Sequence, residues 1–375
     1  MHGQNIHPGA FYCQPAVPAC SLKGFVFYIF QTEPSLEFNV PQVSIIVPVY
    51  NVEVGYLKEM ASSLSSQTLT DAEFLLVLDG DNDVLEQQCQ EFSRQDKRFV
   101  VFKKEHGGVS DTRNFGMMHS QGEYLSFVDA DDWISPDVYS NAYRLAKEND
   151  SDIVFWDMAK VSPDGTEKKE AYEKQTVAAL SDEQRTELMK QFIWVRHLKY
   201  GAAISVCCKL IKREFWAKYQ FLFDKNLAIG EDRIFFYSMM QKAGTVSYLN
   251  ECGYFYRQDP SSATHRYQAG GLPYLIRYLN AFDRDFFAAN RALFGREAYR
   301  LLTVSWGLTY MNDQNPDSYW TRMKRLSGEV RKDYFREYMR KVECARLSLW
   351  KKIEIALLRH GITLTLWIRG LAKNF

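Results

Sequence analysis

Short apolar runs separated by amphipathic stretches set the rhythm of this chain. Val43-Ser-Ile-Ile-Val-Pro48 has the pattern of a buried strand that stops at a proline, and Tyr56–Leu64 repeats its apolar residues at helical spacing. Glu73-Phe-Leu-Leu-Val-Leu78 predicts a second buried strand, and Val84–Phe92 predicts a second helix. A strand over 99–102, a helix near 110–119 and a strand over 123–128 continue the series. This alternation predicts an α/β fold built on a mostly parallel, Rossmann-like sheet with helices on both faces. Ile153–Val161, the turn Ser162-Pro-Asp-Gly165 and the polar run after it predict a hairpin. Ser181-Asp-Glu-Gln-Arg185 has helix-start chemistry, with acids in the first turn.

The two ends read differently. Residues 1–42 are proline-bearing and poor in charge, and their one apolar run, Gly24–Phe30, is too short to span a bilayer. They lack a basic n-region and a small-residue cleavage site, so a poorly ordered leader is expected. Beyond about residue 270 the pattern is helical and aromatic, and 271–375 is expected to be a C-terminal helical extension. Its last part, 340–375, holds eight Lys/Arg against two Glu, interleaved with Leu347, Trp350, Ile353, Leu357 and Trp367. That mixture fits a helix lying on an anionic membrane surface, and it also fits a helical cap with solvated charges.

Composition narrows the field only a little. Lys+Arg and Asp+Glu both number 46, so the net charge is zero and no overall field favours nucleic acid. The seven cysteines form no C-x-x-C pair, which points to reduced thiols in a cytoplasmic protein.

The chemistry concentrates at strand ends. Asp129-Ala-Asp-Asp132 follows the buried run Glu123–Val128, where three adjacent carboxylates would repel one another without a partner. Carboxylate oxygens are ligands that Mg²⁺ or Mn²⁺ prefer, and open α/β sheets bind ligands beyond the carboxyl ends of their strands. Taken alone, the tetrapeptide reads rather as a solvated turn capping a helix that starts near Trp133. Four further segments accompany it: Val43–Asn51 with its Pro48, Asp79-Gly-Asp-Asn-Asp83, His106–Gly116, and Gly230-Glu-Asp-Arg-Ile-Phe-Phe236. Tyr254-Phe-Tyr-Arg257 follows, with Ser261-Ser-Ala-Thr-His265 behind it.

In this order and at these spacings, residues 43 to 265 resemble the family-2 glycosyltransferases of the GT-A fold, of the bacterial polysaccharide or lipopolysaccharide type. The resemblance implies a GT-A domain over 43–270. It also implies a nucleoside-diphosphate-sugar donor, with UDP-sugars favoured, and a polysaccharide or lipid-linked glycan acceptor. Pro48, Tyr50, Asn51, Glu53, Asp79, Arg113, Asp129, Ala130, Asp132 and Arg257 fall on the donor side. Asp131, with Asp129 and His265, falls at the cation, Mn²⁺ or Mg²⁺, that would stabilise the leaving diphosphate. Asp232 falls at the catalytic base, with Glu231 as its neighbour. A carboxylate partly desolvated at the head of a buried helix makes a better base than one in water. Arg113 is expected to position the nucleotide or to brace the Asp79 loop.

Leu78, Asp81, His106 and Asp111 depart from the family's pattern. They are the grounds for a second reading, a non-catalytic nucleotide-sugar-binding subunit of a membrane-bound glycan assembly complex. A nucleotidyltransferase would need a glycine-rich opening followed by Arg, which the chain lacks. The leading expectation is a metal-dependent, inverting glycosyltransferase. It would be cytoplasmic and peripheral on the inner face of the plasma membrane.

Overall fold

A computed structural model describes residues 40–165, 167–193, 205–227, 230–258, 270–282, 284–344 and 347–368. The chain divides at Val40, and Pro41–Phe375 forms one unit.

The central strand is β1 (Val43–Val49), buried at every position but Pro48. A run apolar on both faces suits a strand covered on both sides, as parallel sheets require. It pairs in parallel with β2 (Ala72–Asp79) on one side and β4 (Tyr124–Phe127) on the other, and β2 pairs in parallel with β3 (Phe99–Lys104). The connecting helices follow the expected pattern. Helix α1 (Val54–Ser65) buries Leu57, Met60, Ala61 and Leu64 on one stripe, and α2 (Asp83–Gln95) buries Leu85, Cys89 and Phe92. The Asn82 side chain caps α2 by accepting from Leu85 N at 3.1 Å. Helix α3 (Val109–His119) starts after Gly108, whose φ of 84° favours glycine.

The order β3-β2-β1-β4 runs outward in one direction and then returns across β1. The switch between β1 and β4 leaves a crevice at their carboxyl ends, where open α/β sheets hold ligands. Beyond β4 the sheet becomes mixed. β5 (Trp133–Ile134) is followed by α4 (Val138–Asn149), β6 (Ile153–Val161), β7 (Glu167–Glu170) and α5 (Asp182–Ile193). β8 (Lys209–Lys212) then leads through α6 (Arg213–Tyr219) and α7 (Glu231–Met240) to β9 (Val246–Arg257). β8 is antiparallel to both β4 and β6, whereas β9 runs parallel to β6. β6 and β7 form the expected hairpin.

One local expectation is overturned. No helix starts near Trp133; Trp133–Ile134 pairs antiparallel with Tyr254 and Phe255 of β9, and α4 begins only at Val138. Trp133 stacks on Phe255 with ring centroids 5.5 Å apart and planes 6° from parallel. The aromatic pair makes the segment an edge strand. It also ties the acidic loop after β4 to β9.

The C-terminal helices belong to the same unit as the sheet. After α8 (Gly271–Ile276), a 3₁₀ turn over Arg277–Ala281 and α9 (Arg284–Ala289), α10 (Arg291–Ser305) packs on α12 (Asp333–Lys341). α11 (Tyr319–Val330) lies before α12, and α13 (Leu349–Arg359) packs against it afterwards.

The β1–β4 junction that sets the crevice tolerates no added atom at Gly122. Gly122 N donates to Ser44 Oγ at 2.7 Å, and a Cβ there would meet Ser44 N at 2.5 Å and Val43 C at 2.8 Å. Because both contacts are backbone, the strands would have to separate. Gly122→Ala is expected to destabilise the fold by about 1–3 kcal/mol, the usual cost of overpacking. Urea denaturation would show this as a lower midpoint at unchanged slope, and an unchanged midpoint would refute the junction's tightness.

Candidate active site

The site assembles at the carboxyl ends of β1, β2 and β4 and at the head of α7. Asp79 ends β2 and is 4% exposed. Its Oδ1 accepts from Lys104 Nζ and Gly107 N, both at 2.8 Å. Its Oδ2 accepts from Gly108 N at 2.9 Å and lies 2.9 Å from His106 Nδ1. Burial alone would raise its pKa, but the Lys104 ammonium and the two glycine amides outweigh it and hold the carboxyl below the usual range. Three protein donors occupy this carboxylate, with the His106 ring beside them, so Asp79 shapes the loop that opens α3.

Two of the departures from the family pattern, His106 and Asp111, meet around Asp79 and Lys104. Lys104 also pairs with Asp111 at 2.7 Å, and Lys225 pairs with the same carboxylate. The His106 ring stacks on Tyr50, with centroids 4.6 Å apart. Leu78 is a core residue and Asp81 pairs with Lys103 at 2.9 Å, so none of the four alters the acids of the β4 loop or of α7. Tyr50, Asn51 and Glu53 are exposed at the end of β1, with Pro48 half-buried below them. Asn51 takes a φ of 46°, which turns the chain out of the strand.

Arg113 does not brace the Asp79 loop; Lys104 does. The Arg113 guanidinium, 4% exposed, donates through Nη2 to Asp129 Oδ1 at 2.9 Å and through Nη1 to Asp232 Oδ1 at 2.8 Å. Its Nη1 also lies 3.5 Å from Glu231 Oε1, and its plane sits over Phe223, 5.5 Å from the ring centroid. Burial would lower its pKa, yet Asp232 and Asp129 more than offset this and raise it. Its neighbour Asn114 clamps the Phe223 backbone in both directions, at 2.9 and 2.8 Å.

Asp132 is neither a solvated turn nor a helix cap. It is 1% exposed and accepts from Tyr254 Oη at 2.6 Å and from Arg257 N at 2.8 Å. Its pKa is pushed well above the usual carboxylate range, first by burial and then by Asp131 and Asp129. Tyr254 Oη in turn accepts from Asp129 N at 3.2 Å. Arg257 Nε donates to the Asp131 carbonyl at 2.9 Å, Nη2 pairs with Glu59, and the guanidinium lies over Tyr56 and Trp133. Asp132 and Arg257 therefore hold the acidic loop in place, while Asp129 is 36% exposed at its side chain and faces Arg113. Ala130 is buried between them, and Asp131 is half-buried. His265 lies outside the described residues.

Sequence reasoning missed Tyr254 and Lys104. Both had a signal. Tyr254 stands three residues before Arg257 in a quoted motif, and Lys104 is the parallel-register partner of Asp79.

A parallel β-α-β series with a switch-point crevice, an acidic loop after β4 and an acid pair at a helix head defines a GT-A-like glycosyltransferase fold. A crystal structure of S. aureus TarS 1–349 in complex with UDP-GlcNAc superposes with a TM-score of 0.60 over 88% of this chain and 89% of that chain, at 18% identity. The family model for glycosyl transferase family 2 matches residues 44–217. It is 34% identical over 228 residues to the uncharacterized glycosyltransferase EpsJ of Bacillus subtilis (strain 168), covering 60% of this chain and 63% of EpsJ. It is 28% identical over 226 residues to the minor teichoic acid biosynthesis protein GgaB of the same organism, covering 59% of this chain and 23% of GgaB. The chain thus spans less than two thirds of the length of these relatives.

Glu231 offers a test of the site's electrostatics. Its pKa is pushed up to about 7, first by burial and then by Asp232, against the pull of Arg113. A carboxyl whose folded pKa exceeds its unfolded value releases its proton on unfolding. Fold stability therefore falls as pH rises from about 4.5 to about 7. Glu231→Gln removes this penalty. The melting-temperature difference, variant minus wild type, is expected to increase between pH 5 and pH 8, by the equivalent of up to ~3 kcal/mol. A difference that does not change with pH would refute the assignment.

Proposed function

We propose that this chain is a metal-dependent, inverting glycosyltransferase. It moves a sugar from a nucleoside diphosphate, UDP favoured, to a hydroxyl of a cell-surface polysaccharide or lipid-linked glycan. The observation that carries this reading is the Arg113 bridge, which sets the donor-side acid Asp129 beside the acid pair of α7. The name of GgaB and the UDP-GlcNAc complex of TarS support the acceptor class and the donor class.

The residues fit a divalent cation. Asp129, Asp131 and Asp132 share one loop, and Arg113 joins Asp129 to Glu231 and Asp232, while Asp132 and Glu231 are pushed up first by burial and then by neighbouring acids. Among the described residues no three His, Cys, Asp or Glu side chains form a ready-made metal cage. That suits Mg²⁺-type sites, which use one or two carboxylates together with substrate phosphates. Asp131, with Asp129 and His265, would hold the ion. When bound, it would neutralise charge on the departing diphosphate.

The protein's own residues do the rest. Tyr50 and Pro48 provide a face for the base, with Asn51 and Glu53 as polar contacts beside it, and Asp79 keeps the loop under it rigid. Asp132, Ala130 and Arg257 fix the β4 loop from below. Asp232 takes the proton of the acceptor hydroxyl, and that oxygen attacks the anomeric carbon from the face opposite the diphosphate. The bond to the diphosphate breaks, and its electron pair leaves with the nucleotide. Arg113 holds Asp232 at fixed distance from the donor side throughout.

The test is nucleotide release across a panel of nucleotide sugars with Mn²⁺, Mg²⁺ or chelator. Asp232→Asn is expected to lower turnover by about 10²–10⁴-fold while donor binding persists, the usual contribution of a general base. Asp131→Asn is expected to weaken metal-dependent donor binding itself. No metal-dependent nucleotide binding with any donor would overturn the reading.

The reading extends to location on the inner face of the plasma membrane. Among the described residues no helix is long and apolar enough to cross a membrane. Helix α13 buries Ile355 and Leu358 but exposes Leu349, Trp350 and Ile353, with Lys351 and Lys352 exposed between them. Apolar side chains flanked by lysines suit the interface of an anionic bilayer. The protein is expected to co-sediment with phosphatidylglycerol vesicles and not with phosphatidylcholine vesicles. Lys351→Ala with Lys352→Ala should cost about 1 kcal/mol per lysine. Equal binding to both vesicle types, or to neither, would remove this part of the proposal.

A further inference from the structure

The family match ends at residue 217, before the acid pair on α7. What holds that helix head comes largely from further along the chain. Gly230 sits at a φ of 84°, and a Cβ there would meet the Tyr278 ring at 2.8 Å. Three residues on, Arg233 donates through Nη1 to Tyr278 Oη at 2.8 Å, and its guanidinium lies 5.0 Å from the ring centroid. Tyr278 Oη donates to Glu297 Oε1 at 2.6 Å, and Glu297 also lies 3.6 Å from Arg233. Arg300 closes the far side of Glu297 with two hydrogen bonds, at 2.7 and 2.6 Å. Tyr278 and Glu297 are both 0% exposed. The loop before α7 is held from the same direction, with Arg277 Nη1 donating to the Asn226 carbonyl at 3.0 Å.

A buried carboxylate is costly unless it is paired, and a fully satisfied buried network favours one arrangement over others. Here the network reads out on a catalytic element. Asp232 and Arg233 are consecutive in the first turn of α7, so their side chains point about 100° apart. Asp232 meets Arg113 on one side, while Arg233 meets Tyr278 and Glu297 on the other. A rotation of this turn that released Arg233 would also swing Asp232 off Arg113. Displacements of about 1 Å at reacting groups cost on the order of 10²-fold in rate.

We propose that Tyr278 and Glu297 are positioning residues of the transferase. Through Arg233 and Gly230 they set the rotation of the first turn of α7, and with it the aim of Glu231 and Asp232. The C-terminal helices are then part of the working enzyme. This inference rests on the proposed function for its catalytic consequence, while the mechanical coupling stands on the geometry alone.

The full chain is tested with Tyr278→Phe and Glu297→Gln, each checked for fold by thermal melting and by binding of UDP with Mn²⁺. Tyr278→Phe removes only the hydroxyl and keeps the ring, so it keeps the test informative if Glu297→Gln does not fold. Backbone hydrogen exchange over 223–234 reads the coupling directly, whether or not a donor is turned over. Both variants are expected to exchange faster there, with UDP affinity within about twofold and kcat lowered by about 10- to 10²-fold. Unchanged exchange in folded variants overturns the proposal, and so does unchanged kcat in an enzyme that Asp232→Asn inactivates. A wild type that turns over no donor sinks the transferase reading instead, and exchange still decides the coupling.

Discussion

Everything at this site depends on one buried guanidinium. Arg113 is carried by α3, a helix between β3 and β4, yet its two terminal nitrogens are spent on Asp129 after β4 and on Asp232 at the head of α7. Burying such a charge is unfavourable unless it is paired. The pairing therefore has to survive every change in the site, which makes Arg113 a fixed length between the donor half and the acid pair. A lysine could not span both, because it is a point charge without a planar fork. The cation–π contact with Phe223 and the Asn114 clamp on the Phe223 backbone bind the same helix to the loop that leads toward α7.

Around that bridge the acids divide by exposure into two kinds. Asp79 and Asp132 are almost completely buried, and each is occupied by protein donors, so they set backbone shape. Asp129 and Asp131 are only half-buried. The two buried acids differ in sign of shift for a physical reason. Asp79 has an ammonium and two amides against it, whereas Asp132 has one hydroxyl and one amide and two like charges nearby. A deeply buried acid flanked by other acids is raised, and one ringed by donors is lowered.

The strands from β1 to β4 and their helices were legible because each carries a clean period, either a continuous apolar run or an apolar stripe at helical spacing. The acidic loop and the acid pair were legible as motifs. The structure supplied partners that no spacing encodes. Arg113 and Asp232 are 119 residues apart, and Asp132 and Tyr254 are 122 apart. The short strand at Trp133 was misread for a related reason. Two residues carry no period, and their pairing is decided by the Trp133–Phe255 stack across the sheet. The turn of the sheet from parallel to mixed beyond β4 was equally hidden, because a four-residue strand such as β8 looks alike in either direction.

The family match and the acid pair also part company along the chain, and this bears on how such a fold can diversify. The matched stretch, residues 44–217, carries Asp79, Arg113, Asp129, Asp131 and Asp132. Glu231 and Asp232 lie beyond it, on a helix whose first turn is gripped by Arg113 from one side and by Arg233's buried partners from the other. Changes in the C-terminal helices can therefore reach the head of α7 through Tyr278 and Glu297. Apolar packing joins the same elements, with Phe127 against Phe235 and β6 beside β9, and the charged contacts add direction at the head of α7. A charged, hydrogen-bonded coupling of this kind transmits orientation because it is directional, and the close-packed aromatic contacts beneath it transmit displacement.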